Sequence, residues 1–147
     1  MKLKFEITDV AEDETRERLL SQLKAFNERQ AGPGGHRPLV ISLKNESDEC
    51  VGGLWGMTSY GWLFIQFLVV PETARGQGAG CELLRMAEQE AIARGCRGVW
   101  LDTFEFQARG FYERQGYTLF GQLADYPQGF ARFFLHKALA APQVALG

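Results

Sequence analysis

Residues 69–95 read VVPETARGQGAGCELLRMAEQEAIARG, an apolar strand end followed by a glycine-rich loop and an amphipathic helix. No other stretch constrains the chain as much. The helix places Leu84, Ala87 and Ala91 on one face with Leu83 beside them, and Gly95 stops it. Between strand and helix stand Arg75, Gly76, Gln77, Gly78, Ala79 and Gly80, three glycines behind one positive charge. A strand, a glycine loop and a helix start together make an anion site. The first-turn N–H groups have no intrahelical partner and point out of the helix end. The helix dipole adds partial positive charge there. Glycine lets the backbone approach an anion without a Cβ in the way and permits positive φ. The plainer alternative is a turn that needs flexibility and nothing more. The arginine and the alternating glycines favour the anion site, and the anion expected is a pyrophosphate, but alone they do not settle the choice.

Two common nucleotide motifs fail here. A phosphate-binding loop of the Walker type requires Lys then Ser or Thr after its last glycine, whereas Gly80 is followed by Cys81 and Glu82. A dinucleotide fingerprint spaces its glycines G-x-G-x-x-G within a parallel unit near the N-terminus. Gly76, Gly78 and Gly80 are spaced by two, and the elements before them are antiparallel in pattern.

The rest of the chain sets the frame. With 147 residues, 46% of them hydrophobic, it is long enough for one domain with one core, expected over residues 1–139 with a frayed tail at 140–147. A net charge of −2 with mixed signs argues against a nucleic-acid binder. The longest apolar runs, such as 62–71, are too short to span a bilayer, and no signal-peptide pattern opens the chain. Cys50, Cys81 and Cys96 are odd in number and lack metal-type spacing, so they read as reduced thiols of a cytoplasmic protein. With only His36 and His136 available, a histidine-based metal site is not expected.

Alternation over residues 2–8 predicts a strand, and helical spacing of Leu19, Leu20, Leu23 and Phe26 predicts a helix over 10–30. Strands are expected at 37–44 and 49–58 around the turn 45–48, and at 62–70, a near-continuous apolar run suited to a central strand. After the glycine helix come a strand at 98–103, a short helix at 107–115, and strands at 117–121 and 130–136. The order predicts an α+β fold, a mixed sheet flanked by helices.

Two motifs in this order carry a family resemblance. Leu68, Val69 and Val70 lead into Arg75-x-x-Gly78-x-Gly80, and downstream stands Phe111-Tyr112-Glu113-Arg114-Gln115-Gly116-Tyr117. The chain thereby resembles the GNAT superfamily of N-acetyltransferases. The resemblance implies a mixed, mostly antiparallel sheet of six to seven strands whose central strands splay apart. It implies acetyl-CoA as acyl donor, no metal, and a primary amine as acceptor. Backbone groups of Leu68, Val69 and Val70 would pair with the pantetheine arm like an added strand. The N–H groups of residues 75–80 would hold the pyrophosphate, with Gln107 and Phe111 beside the cofactor. Tyr112 would hydrogen-bond or protonate the leaving sulfur. Where many family members carry Asn, this chain has Glu105, and the run 102–108 suggests a subgroup in which Gln107 caps or contacts the arm.

Gln66 occupies the middle of the central strand, where a base would be expected, and it cannot accept a proton. Asp102 and Glu105 are the best-placed carboxylates, although either could be a solvated loop charge, and a water chain could serve instead. Trp55, Tyr60, Trp62, Phe104, Tyr126 and Phe130 could line an acceptor cleft or simply pack. A small-molecule amine is expected as acceptor. The alternatives are a protein Lys or N-terminus, or a non-catalytic CoA-binding module. The last two strands, 117–136, offer apolar surface for a homodimer.

Overall fold

A computed structural model of the chain describes residues 1–140. Of the tail expected to fray, 141–147 lie outside the described residues. The chain divides into two compact units, Met1–Gly34 and the remainder from Gly35.

The first unit holds one helix, α1 (Asp13–Ala31). It starts at Asp13 rather than at Val10, because the Val10 N–H donates to Thr8 Oγ1 at 3.0 Å, a local turn that competes with the helix. Its end is closed by the Gly32 N–H, which donates to the Glu28 carbonyl at 2.9 Å. The strand expected at 2–8 does not form. Alternation makes a strand only where another strand accepts the ladder hydrogen bonds, and among the described residues this segment has no such neighbour.

The second unit is built on six strands: β1 (Arg37–Lys44), β2 (Cys50–Ser59), β3 (Trp62–Val69), β4 (Gly98–Phe104), β5 (Thr118–Leu123) and β6 (Arg132–Ala138). They lie in the order β1-β2-β3-β4-β6-β5, and only β3 and β4 run parallel. The parallel pair requires a crossover, which α2 (Ala79–Ala93) supplies after a single 3₁₀ turn at Glu72–Ala74. A short helix, α3 (Arg109–Arg114), links β4 to β5. The β1–β2 turn is closed by Asn45, whose Oδ1 accepts the N–H groups of Ser47 and Glu49.

Alternate positions of the strands, including Leu54, Leu63, Val99, Leu101 and Leu135, form one core with Leu83, Leu84, Ala87 and Ala91 of α2. Each large side chain buried there contributes about 1.5–3 kcal/mol relative to exposure. Polar contacts fix where α2 lies on the sheet. At its C-terminal end the Arg94 guanidinium donates to the Pro38 carbonyl at 3.0 Å and to Thr58 Oγ1 at 3.1 Å, while pairing with Glu90 at 2.9 Å. Mid-helix, Glu88 accepts from Lys137 at 2.6 Å and from the Tyr117 hydroxyl at 3.2 Å.

The sheet is irregular at its centre. Trp55 pairs with Phe67 but Gly56 pairs with Ile65, so Gln66 is an extra residue, a bulge in β3. The β3–β4 ladder runs from Trp62–Gly98 to Ile65–Leu101 and stops there. Beyond that point the two strands part. Glycine makes the neighbouring strand fit: a Cβ on Gly53, at φ 144°, would overlap the Ile41 carbonyl oxygen, and one on Gly56 would overlap that of Phe64.

Gly53→Ala should therefore cost at least about 3 kcal/mol through strain and backbone overlap. Gly76→Ala, at φ 82° with nothing within 4 Å, should cost only about 1–2 kcal/mol. Urea unfolding of both variants checks the contrast, and equal losses would contradict it.

Candidate active site

The gap between β3 and β4 is a cleft of about 760 Å³, within the range of small-ligand sites. One wall is the bulged half of β3 with the residue after it, residues 65–70, and the other is Leu101, Asp102 and Thr103 of β4. The loop 74–81 and the start of α2 close one side, and Phe106, Gln107, Ala108, Phe111 and Tyr112 close the other. The residues singled out in the sequence, Leu68, Val69, Val70, Arg75, Gly76, Gly78, Ala79, Gly80, Gln107, Phe111 and Tyr112, all line it. Gln77 does not. Its side-chain amide donates back to the Thr73 carbonyl at 3.4 Å, so the loop spends that side chain on itself.

The N-terminal end of α2 carries no side-chain cap, and the Ala79, Gly80 and Cys81 N–H groups are those a helix cannot pair internally. The three glycines have separate reasons. Gly76 and Gly78 adopt φ 82° and 75°, a left-handed backbone that sets the path into the helix. Gly80 has ordinary φ and is needed for room, because a Cβ there would sit 3.0 Å from the Phe111 ring. The third glycine thus seats α3 against α2, a contact reinforced by Gln115 donating to Cys81 Sγ at 3.3 Å. Arg75 is exposed, pairs with Glu72 at 3.9 Å, and is among the residues that line the cleft.

Because β3 leaves β4 after Ile65, residues 66–69 have no strand on the β4 side. Their main-chain groups there form an open edge that an extended ligand carrying amides can pair with.

Tyr112 lies on α3 with its ring packed edge-on to Phe111 at 5.2 Å and Tyr117 at 5.9 Å. Burial, with the Asp102 charge in addition, pushes its phenol up to about 12. The group is therefore a neutral donor at any physiological pH. No hydrogen bond from that hydroxyl to another described residue competes with a ligand.

The carboxylates have structural work that the sequence does not reveal. Asp102 Oδ1 accepts two bonds from Arg132, at 2.9 and 2.6 Å. Glu105 is a clasp. Its N–H donates to the Ala131 carbonyl and its Oε2 accepts the Ala131 N–H, both at 2.8 Å, which zips the β4–α3 loop to the start of β6. Of the two, only Asp102 lines the cleft. Gln107 caps: its Oε1 accepts the Phe104 N–H at 2.8 Å and the Thr103 hydroxyl at 3.1 Å. Gln66 and Phe106 also face the cleft. The glycines of β2 were a readable sign of close backbone approach but not of the bulge at Gln66 itself, since glycine inside a strand marks either one. Phe106 carried no distinguishing signal.

Against known proteins, the model of the Acetyltransferase (GNAT) family matches residues 5–117. A blasticidin-S acetyltransferase of Streptomyces morookaense is 42% identical over 107 residues, covering 70% of this chain and 79% of that protein. The crystal structure of an acetyltransferase from Agrobacterium tumefaciens superposes with TM-score 0.88 at 39% identity, covering 93% of this chain and 100% of the other. A crystallised aminoglycoside 6′-N-acetyltransferase complexed with coenzyme A shares the fold, with TM-score 0.64 at 18% identity, over 88% of this chain and 96% of that one.

The raised Tyr112 value has a measurable sign. The unfolded phenol loses its proton near the reference value of about 10, the folded one only near 12. Stability from this group is present below pH 10 and is lost as pH rises from there through 12, amounting to about 3 kcal/mol in full. Alkaline unfolding of the native chain and of Tyr112→Phe should diverge in that window. Absorbance at 295 nm should show the corresponding phenolate missing at pH 11.

Proposed function

As a member of the GNAT acetyltransferase family the chain is an acyl-CoA-dependent N-acetyltransferase, and we propose that it transfers the acetyl group of acetyl-CoA to the primary amine of a small molecule. The observation that carries this reading is the cleft between the parted strands, which joins an uncapped helix end, an open strand edge and a buried phenol. Taking residues 1–139 as one acetyltransferase domain is supported by the family match, which runs through both units. The small-molecule acceptor is supported by the relative whose name gives blasticidin-S as its substrate. The donor is supported by the solved neighbour that holds coenzyme A.

In this reading the pyrophosphate lies on the N–H groups of residues 75–80, with Arg75 at its edge, and the pantetheine amides pair with Leu68 to Val70. Phe111 and Gln107 bound the arm. The thioester then reaches Tyr112. The neutral amine attacks the carbonyl carbon, so that a C–N bond forms and the nitrogen gives up a proton to solvent, while the C–S bond breaks and the sulfur leaves with the electron pair to take up a proton from solvent. Tyr112 donates a hydrogen bond to that sulfur. Complete transfer of its proton to a thiolate of reference value about 8.5 would be uphill by about 5 kcal/mol, so the phenol works chiefly as a donor while the proton reaches the thiol through solvent.

The amine must first lose a proton. A lysine-like amine at pH 7 is neutral about once in 2,500 molecules, a penalty near 4.6 kcal/mol without help. Asp102 is the only carboxylate among the described cleft-lining residues, and in this reading the proton passes to it or to water it orders. Glu105 is occupied by Ala131 and takes no part.

Saturating coenzyme A at a hundredfold excess over its dissociation constant should stabilise the protein by about 2.7 kcal/mol in a thermal melt. Tyr112→Phe should keep that shift and lower turnover roughly 100-fold, measured as thiol released on a panel of amines. Absence of any shift would rule out a CoA site here, and a full rate in the variant would remove the role given to the phenol.

A further inference from the structure

The two loops beyond the C-terminal ends of β4 and β5 carry a group of aromatic rings that the core does not use. Phe106 is 58% exposed, and Tyr126 and Phe130 are each 43% exposed. They are nevertheless ordered against one another. Phe104 and Phe106 stack at 5.2 Å with their planes 6° apart, Phe104 and Tyr126 stack at 5.7 Å, and Phe130 meets Phe106 edge-on at 5.2 Å.

The backbone beneath them is tied down. The Tyr126 N–H donates to the Phe130 carbonyl and the Phe130 N–H to the Pro127 carbonyl, each at 2.9 Å, while Asp125 Oδ1 accepts the Gly129 N–H at 3.2 Å. The Glu105–Ala131 clasp locks this loop to the one that carries Phe106. Arg132 lies over two of the rings, with its guanidinium carbon 4.8 Å from the Tyr126 centroid and 5.4 Å from that of Phe104. The same guanidinium grips Asp102 in the cleft. Ring platform and carboxylate are thus one rigid assembly, and Phe106 and Asp102 both line the cleft.

Solvent-facing rings held in parallel contribute little to folding, since their faces remain wet. What they offer is a pre-ordered stacking surface, on which a flat ligand gains contact without the cost of ordering side chains. We propose that this platform is the acceptor subsite, and that the preferred acceptor is a primary amine carried on a flat, unsaturated ring. The ring lies on Phe106 beside Phe130, and the amine reaches past it toward Asp102 and Tyr112. This rests on the acetyltransferase reading of the same cleft, and it names the substrate class that the reading leaves open.

The experiment compares matched primary amines that carry the aminomethyl group on an aromatic or heteroaromatic ring or on cyclohexane. Acetyl-CoA is the donor and thiol release the readout. The native protein should favour the flat acceptor by roughly tenfold in kcat/KM, the range of single stacking contacts. Phe106→Leu and Phe130→Leu keep apolar bulk while removing a ring. In each, the preference should fall toward one through a rise in KM for the flat acceptor, while the KM for acetyl-CoA moves far less. A native preference near one, or a preference that survives both substitutions, overturns the proposal and leaves the acetyltransferase reading standing. A coenzyme A melting shift with no amine turned over overturns both.

Discussion

The active cleft depends on one break in hydrogen bonding, the point after Ile65 and Leu101 where two parallel neighbours stop pairing. Buried strands normally continue their ladder, because an unpaired N–H or C=O costs about as much as a lost hydrogen bond. Here the extra residue Gln66 rotates the strand out of register, and the departing half of β3 keeps its bonds to β2 while giving up those to β4. The result is an open edge beside a cavity. In the proposed reading an amide-bearing arm would restore the missing bonds and complete the sheet.

A cleft of this kind works only if its ends are held at fixed distances, and polar anchors add to the apolar core in doing this. Arg94 ties the far end of α2 to carbonyls of β1 and to Thr58, and Glu88 ties its middle to Lys137 and Tyr117. The near end of α2, left without a cap, is then placed by leverage from both. Gly80 lets Phe111 approach, so the helix that presents Tyr112 is located by the helix that presents the free N–H groups. Because Phe111 and Tyr112 are adjacent, a shift of one helix would move both the uncapped end of α2 and the phenol.

How much of this could be read in the chain varied with the range of the interaction. The glycine loop, the amphipathic α2 and the apolar β3 are local patterns, and the strands from residue 37 onward formed within a few residues of their expected bounds. The expected splaying of the central strands is present. What failed was non-local. Residues 2–8 have the right alternation, but a strand is defined by its neighbour. Gln77 lies in the motif yet turns to Thr73. Glu105 looked like a candidate base because a carboxylate in a loop carries no mark of its partner, and that partner, Ala131, is 26 residues away. The bulge itself could not be read in the chain, since it is defined by which residue of β2 faces which residue of β3.

Electrostatics orders the cleft from end to end. One end offers main-chain N–H groups, a helix dipole and Arg75, and so suits an anion. The other end offers Asp102, and so suits a cation. Arg132 offsets part of this charge, with both of its bonds on Oδ1. Tyr112 lies within the field of Asp102, which together with burial keeps the phenol protonated. In the proposed reading, a thiolate forming beside it would meet a donor that stays protonated at neutral pH, while the Asp102 charge would attract an ammonium and also raise its pKa, so that it favours binding of the amine more than its deprotonation. The same carboxylate would thus raise the pKa of both groups, favouring the donor form of the phenol and the binding of a cationic acceptor, while loss of the amine proton has to be drawn on by the bond formation that follows it.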